Sequence, residues 1–221
     1  MNATAYATDP ERTIAHAVGA RAAALQRGLE GDSASAHSTA RGDLARLRRL
    51  RPGDLGADTD SWALTMDVLP DALMGRRDQP NAAERATQAA LVLFALHAQS
   101  ARGAIHVPDR SLGLAIRHLA EARDGDDPTG GAVMARFQSL GRAQTYGQLM
   151  THLRGLIQLL RTEAIPLDYG ALGADLYRWQ QPDGPAIVRL RWGRGFHRRP
   201  PHDPHQETST SPDESETTHV R

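Results

Sequence analysis

The chain has 221 residues and a formal net charge of zero, with no Cys and no Lys, so that all 26 basic residues are Arg. The lack of thiols excludes disulfides, thiolate nucleophiles and Cys-based metal sites; the lack of lysine amines excludes a P-loop lysine, a Schiff base and a Ser–Lys nucleophile pair. Hydrophobic residues at 40% with aromatics at 5% suit a lean helical protein filled with Ala and Leu better than a sheet.

Residues 1–10 are polar, without the apolar core of a secretory signal, and no run approaches the ~18 apolar residues of a membrane span. The expectation is a soluble, cytoplasmic protein with no membrane partner. Asp9-Pro10-Glu11 places an N-cap before Pro at the first helical position, and Ile14, Val18, Leu25 and Leu29 then line one face up to Gly28 and Gly31. A second helix is expected over Arg41–Arg51, stopping at Pro52-Gly53, and a third around Trp62–Leu69, ended by Pro70. Asn81 with Glu84 is a capping box that opens a helix over Ala82–Ser100. Its Leu91, Leu93, Phe94 and Leu96 cover more than one face, which predicts the most buried helix of the first half. Ser111 opens another, with Leu112, Ile116 and Leu119 aligned. Asp124 to Pro128 then reads as a solvated turn between two halves.

Beyond it, Val133, Phe137 and Leu140 form one stripe. Thr145 with Gln148 makes a second capping box, ahead of Leu149, Leu153, Leu156, Ile157 and Leu160. Asp168 caps a helix containing Leu172, Leu176 and Trp179. Val188 to Trp192 alternates as a strand would, but a lone five-residue strand has no partner, so a helix or an extended segment is expected. From Pro200 onward the charge balance is −4 with no apolar periodicity, too little to offset the entropy of ordering. The expected architecture is all-α: two small helical-bundle lobes over 1–128 and 129–199, with a disordered acidic tail over 200–221.

The residues offer no constellation for catalysis. His16, His37, His97, His106, His118, His152 and His197 form no H-E-x-x-H spacing, and no G-x-S-x-G is present. His97, inside the buried helix, reads as a core histidine. No enzyme activity, metal or cofactor is expected.

The arginines are more informative, because the neutral total hides a basic body: residues 132–199 alone carry a balance of +6. Arg41, Arg46, Arg48, Arg49 and Arg51 fall within eleven residues, opposed by Asp43. One or two cations would complement a helix C-terminus; five point to an anion. Arg154 and Arg161 lie two helical turns apart, roughly 10 Å along one face. Arg136 and Arg142 flank the Phe137–Leu140 stripe, and Arg189, Arg191, Arg194, Arg198 and Arg199 end the body. Arginines in this number without matching acids predict contacts to a phosphate backbone. Few Asn or Gln accompany them, which predicts backbone tracking rather than reading of bases.

Several segments in order carry a resemblance: Leu44-Ala-Arg-Leu-Arg-Arg-Leu50, Ser111-Leu-Gly-Leu-Ala-Ile-Arg-His-Leu119, Ala135-Arg-Phe-Gln-Ser-Leu140, His152 to Arg161, Pro166-Leu-Asp-Tyr169, and Val188 to Phe196. Over residues 12–199 the chain resembles the CasB family, the small subunit of the type I-E CRISPR Cascade complex. It departs at Leu114, where the family places Arg, and at Gly195 and His197 beside Phe196. The resemblance implies a non-catalytic subunit, paired with a second copy and held among large and backbone subunits, that stabilises the crRNA–target DNA heteroduplex and the displaced strand. It carries over Arg48, Arg49, Arg136, Arg142 and Arg154; the charge reading adds Arg46, Arg161 and Arg194. The alternatives are a free-standing, sequence-nonspecific DNA-binding protein and, behind it, a His-dependent metal hydrolase.

Overall fold

The computed structural model describes residues 9–55, 59–99, 101, 103–125 and 128–198. The disordered acidic tail expected over 200–221 lies outside them. Among the described residues the regular elements are helices: α1 (Pro10–Glu30), α2 (Ala34–Arg49), α3 (Asp60–Met66), α4 (Ala82–His97), α5 (Leu112–Asp124), α6 (Ala132–Gly141), α7 (Tyr146–Thr162), α8 (Tyr169–Trp179) and α9 (Gly184–His197). A 3₁₀ turn spans Asp71–Leu73, and His106 meets Leu167 in a single isolated bridge. The protein is all-α.

Local chemistry sets most helix starts. The side chains of Asp9, Ser111, Thr145 and Asp168 accept hydrogen bonds from Glu11, Leu114, Gln148 and Ala171 backbone N–H groups. Asn81 and Glu84 complete both halves of their box. Gln148 departs from the reciprocal pattern: its Oε1 accepts from the N–H of Gln144, not from that of Thr145. Helix α2 begins at Ala34, capped by Ser33, well ahead of the expected Arg41. The segment 184–197 is helical throughout, with Gly184, Val188, Trp192 and Phe196 buried every fourth residue. Leu190, which completed the alternating pattern, is 53% exposed. Asp124 is not a solvated turn residue, since its Oδ2 accepts the Val133 N–H at 3.0 Å and ties α6 to the end of α5; Asp126 and Asp127 lie outside the described residues.

Helix α4 is the centre of the core, buried from Ala83 to His97 except at Arg85. The helices sort into two packing groups. One holds α1–α4 with α8, whose most extensive contact is with α1; the other holds α5, α6, α7 and α9. Contacts of α4 with α7 and of α8 with α9 join them, and one continuous cluster of buried residues runs through both. Helices from both sides of residue 128 thus build each group.

Two core features have measurable consequences. His97 Nδ1 lies 2.9 Å from the Tyr169 hydroxyl, and Phe94 meets the same ring edge-on at 5.2 Å. Burial lowers the His97 pKa to about 4, and Arg161 adds to the effect. A folded pKa below the unfolded one means that the unfolded chain binds the proton more tightly. The contribution of His97 is therefore fully present above pH ~6.5 and is lost as pH falls toward 4. His97→Gln keeps an acceptor for Tyr169 and removes this loss, so its denaturation midpoint should be higher at pH 4 relative to pH 6.5 than that of the native chain.

The second feature is the crossing of α5 and α9. A Cβ placed on Gly113 would collide with the Trp192 carbonyl oxygen, so only glycine permits this approach. Gly113→Ala should cost about 1–3 kcal/mol by forcing the helices apart. Gly155→Ala, within α7 where a Cβ meets open space, is the control and should leave the melting temperature unchanged or raise it.

The last helix also closes the chain on its beginning. Arg191 Nη1 reaches the buried Asp175 carboxylate at 2.5 Å, and its Nη2 reaches Glu11 at 3.3 Å. Arg178 lies 3.6 Å from Glu11, and the Trp192 indole N–H donates to the other Asp175 oxygen at 2.6 Å.

Candidate nucleic-acid interface

The site is built around the end of α2. Past Arg49 the chain turns through Arg51-Pro52-Gly53, and the buried Gln88 of α4 holds that turn from beneath. Its Oε1 accepts the Gly53 N–H at 2.6 Å, and its Nε2 donates to the Arg51 carbonyl at 3.0 Å. Gly53 has φ +84°, and a Cβ there would stand 2.7 Å from the Tyr146 ring. Tyr146 opens α7; its hydroxyl donates to the Arg85 carbonyl, its ring lies against Trp179, and burial pushes its phenol pKa up. Gly53 thus lets the turn press directly onto the first turn of α7.

A groove of about 660 Å³ runs between them, with Arg48, Arg49 and Arg51 on one wall and Gly147, Thr151 and Arg154 on the other. Gly147, Thr151 and Arg154 share the outer face of α7, while Leu149, Leu153, Leu156, Ile157 and Leu160 are buried on the inner one. A second depression of about 420 Å³ continues along α2, lined by His37, Arg41 and Arg48 with Gln99 opposite. Arg48 lines both. Among the described residues no acid forms an ion pair with Arg41, Arg48, Arg49, Arg51 or Arg154. The acid in the groove lining is Asp54. The arrangement presents guanidinium groups in a row on rigid elements, suited to successive phosphates.

The structure therefore brings Arg48, Arg49 and Arg154 together and separates the other candidates from them. Arg46 lies 3.4 Å from Asp43, an acid it shares with Arg21 at 2.8 Å, and it lines neither depression. Arg161 donates to Gln99 at 2.8 Å and lines a different, smaller depression of about 230 Å³ beside His97. Arg136, Arg142 and Arg194 are exposed but line neither wall of the groove; they belong to α6, its C-cap and α9. Arg189 and Arg191 of the C-terminal cluster are committed to intramolecular partners, the Ala143 carbonyl and Asp175 with Glu11. His37, Gln99 and Thr151 line the depressions without having stood out in the sequence. The four- and seven-residue steps from His37 to Arg41 and Arg48 were the available signal for the α2 face, once the helix is known to start at Ala34. Among the described residues, no three His, Asp or Glu side chains stand close enough together to hold a metal, and no helix is long and apolar enough to cross a membrane.

The family model of CRISPR-associated protein Cse2 matches residues 43–197, a span that contains all eight candidate arginines. Solved structures similar to this chain include CasB from Thermobifida fusca, at 35% identity and a TM-score of 0.66 over 84% of this chain and 98% of that one. CasB from M. ruber aligns at 25% identity and a TM-score of 0.55, over 80% of this chain and 91% of that one. A Cse2-family CRISPR-associated protein from Thermus thermophilus shares the fold at 23% identity and a TM-score of 0.56, over 81% and 96%. A search of curated proteins returns no match.

Proposed function

Because the chain belongs to the Cse2 family of CRISPR-associated proteins, we propose that it is a non-catalytic subunit of the Cascade complex whose arginines hold the phosphate backbones of the crRNA–target DNA heteroduplex and of the displaced strand. The observation that carries this reading is the groove in which the end of α2 and the outer face of α7 bring Arg48, Arg49, Arg51 and Arg154 together without ion-pairing acids among the described residues. Its lining offers Arg and Thr but no Asn or Gln to recognise base edges, which supports backbone tracking. Exchange of a DNA duplex for a heteroduplex is close to balanced, so a few phosphate contacts suffice to tip it. Arg136, Arg142 and Arg194, exposed on α6, its C-cap and α9, add basic surface beyond the groove. The large subunit, the backbone subunits and a second copy of this chain are its protein partners.

The test is R-loop formation by the assembled complex with and without this subunit. Omission should reduce strand opening at the target, read by permanganate reactivity of unpaired thymines, while leaving the bound guide RNA unchanged. Undiminished opening, or loss of the guide, would overturn the reading.

A further inference from the structure

Three of the arginines that the groove leaves out, Arg136, Arg142 and Arg194, are chain neighbours of residues that line a different feature. Between α6 and α9, which meet through Phe137 and Phe196, a cavity of about 450 Å³ opens to the surface, within the range of small-ligand sites. Met134, Phe137 and Trp192 supply its apolar walls; Gln138, Arg189 and His197 supply polar groups. The aromatic wall is held in place: Phe137 stacks on the buried Phe196 at 5.5 Å and 29°, and Phe196 meets His197 edge-on at 5.1 Å. The Trp192 indole N–H is already committed to Asp175. Arg189 is anchored by a 2.9 Å bond from Nη2 to the Ala143 carbonyl, yet its Nε is buried without an acceptor among the described residues. Buried donors in folded proteins are rarely left so.

The rim is basic. Arg136 precedes Phe137, Arg142 follows Gly141, and Arg194 follows Gly193; all three arginines are exposed, with no ion-paired acid among the described residues. An apolar side chain of a protein partner would leave the amide, imidazole and guanidinium groups unused and gain nothing from this charge. A flat, heteroaromatic group attached to phosphates uses all of them.

We propose that this cavity takes one unpaired nucleobase of the bound strand, stacked on Phe137 with its polar edge toward Gln138 and Arg189, its flanking phosphates held by Arg136, Arg142 and Arg194. This rests on the nucleic-acid reading above and adds a base-binding site to a surface otherwise limited to backbone contacts. The site is sequence-tolerant, because stacking serves any base with a π-face.

The experiment compares binding of the full chain to a short oligothymidylate and to an oligomer of the same length made of abasic sites, which keeps every phosphate and removes every base. The wild-type protein should prefer the thymidylate by roughly five-fold or more, the range of a single base–aromatic stack. Gly193→Leu fills the cavity from a position where a Cβ meets open space, and so keeps the fold and every arginine. It should abolish the preference while leaving affinity for the abasic oligomer unchanged. Phe137→Ala, with its melting temperature checked, should do the same. Equal wild-type affinity for the two oligomers, or a preference that survives Gly193→Leu, would overturn the base site while leaving the phosphate reading intact. Failure to bind either oligomer would remove the phosphate reading and the base site with it.

Discussion

Replacing Arg48, Arg49 and Arg154 together with Ala should weaken binding of the full chain to single-stranded DNA by roughly a hundredfold near physiological salt. The magnitude follows from the geometry. A hydrogen bond to a charged group is worth about 1.5–3 kcal/mol when shielded from water, and screening of these surface guanidiniums reduces each contact to about 1 kcal/mol. Three such losses give about 3 kcal/mol, or two orders of magnitude in affinity. A second readout is independent of that estimate. Each phosphate contact to a single strand contributes about 0.7 to the slope of log affinity against log salt, so the triple variant should bind with a slope shallower by about 2. The loss should be the same for all sequences, because phosphates carry no sequence information. Arg46→Ala is the internal control: it is held toward Asp43 and lies outside the groove lining, and the slope should barely move. A folded triple variant with wild-type salt dependence would show that these arginines only solvate the surface.

Asp175→Ala should be the most damaging single change to stability. The carboxylate is buried and receives both Arg191 and the Trp192 indole. Its removal leaves the indole N–H buried without an acceptor, a loss of about 1–3 kcal/mol. Breaking a buried ion pair costs about 3–5 kcal/mol, but Arg191 is 44% exposed and keeps Glu11, so its share is smaller. A total of about 3 kcal/mol is expected from chemical denaturation. The isosteric Asp175→Asn tests the electrostatics separately. Burial raises the Asp175 pKa from 3.8 to about 6, against the opposing pull of Arg191 and Trp192. A carboxyl with a folded pKa above its unfolded one stabilises the fold below pH ~4 and loses that contribution as pH rises through about 6. His97 has the opposite slope over nearly the same range, so the two largely cancel in the native protein. Asp175→Asn should therefore lose stability more steeply on acidification than the native chain does, and the double variant with His97→Gln should again be nearly flat. Identical pH dependence of the native protein and Asp175→Asn would show that Asp175 does not titrate in this window.

How much of this was legible in the sequence depended on the range of the interaction. Caps act over three residues, so Asp9, Asn81, Ser111, Thr145 and Asp168 marked their helix starts to within a residue. The start of α2 was missed because Ala34 to Ala40 offers small and polar side chains, with no large apolar residue to set a period. The alternation of Val188, Leu190 and Trp192 carried no strand, because two of these face the core and the third faces outward on the same helix. Among the arginines, sequence spacing told which were numerous but not which were occupied. Arg191 and Arg154 look alike in the chain; one is committed to Asp175 and Glu11, and the other faces a groove formed by a helix far away in sequence. Convergence of that kind rests on Gln88 and Gly53, whose roles depend on residues more than thirty positions away and leave no periodic trace.

The clasp of Glu11 by Arg178 and Arg191, with α8 laid along α1, also bears on how the protein is made. Synthesis is vectorial, so α1 leaves the ribosome while the helix that covers Ile14 and Val18 has not yet been translated. That part of its apolar face stays uncovered until nearly the whole body has emerged, although α2 and α4 can pack on α1 earlier. Because the decisive pairing joins the two ends of the body, its closure is governed by a long loop, the slow case for folding. The N-terminal helix therefore acquires its native packing only after translation of α8, and a nascent chain interrupted before Tyr169 presents that face to its surroundings.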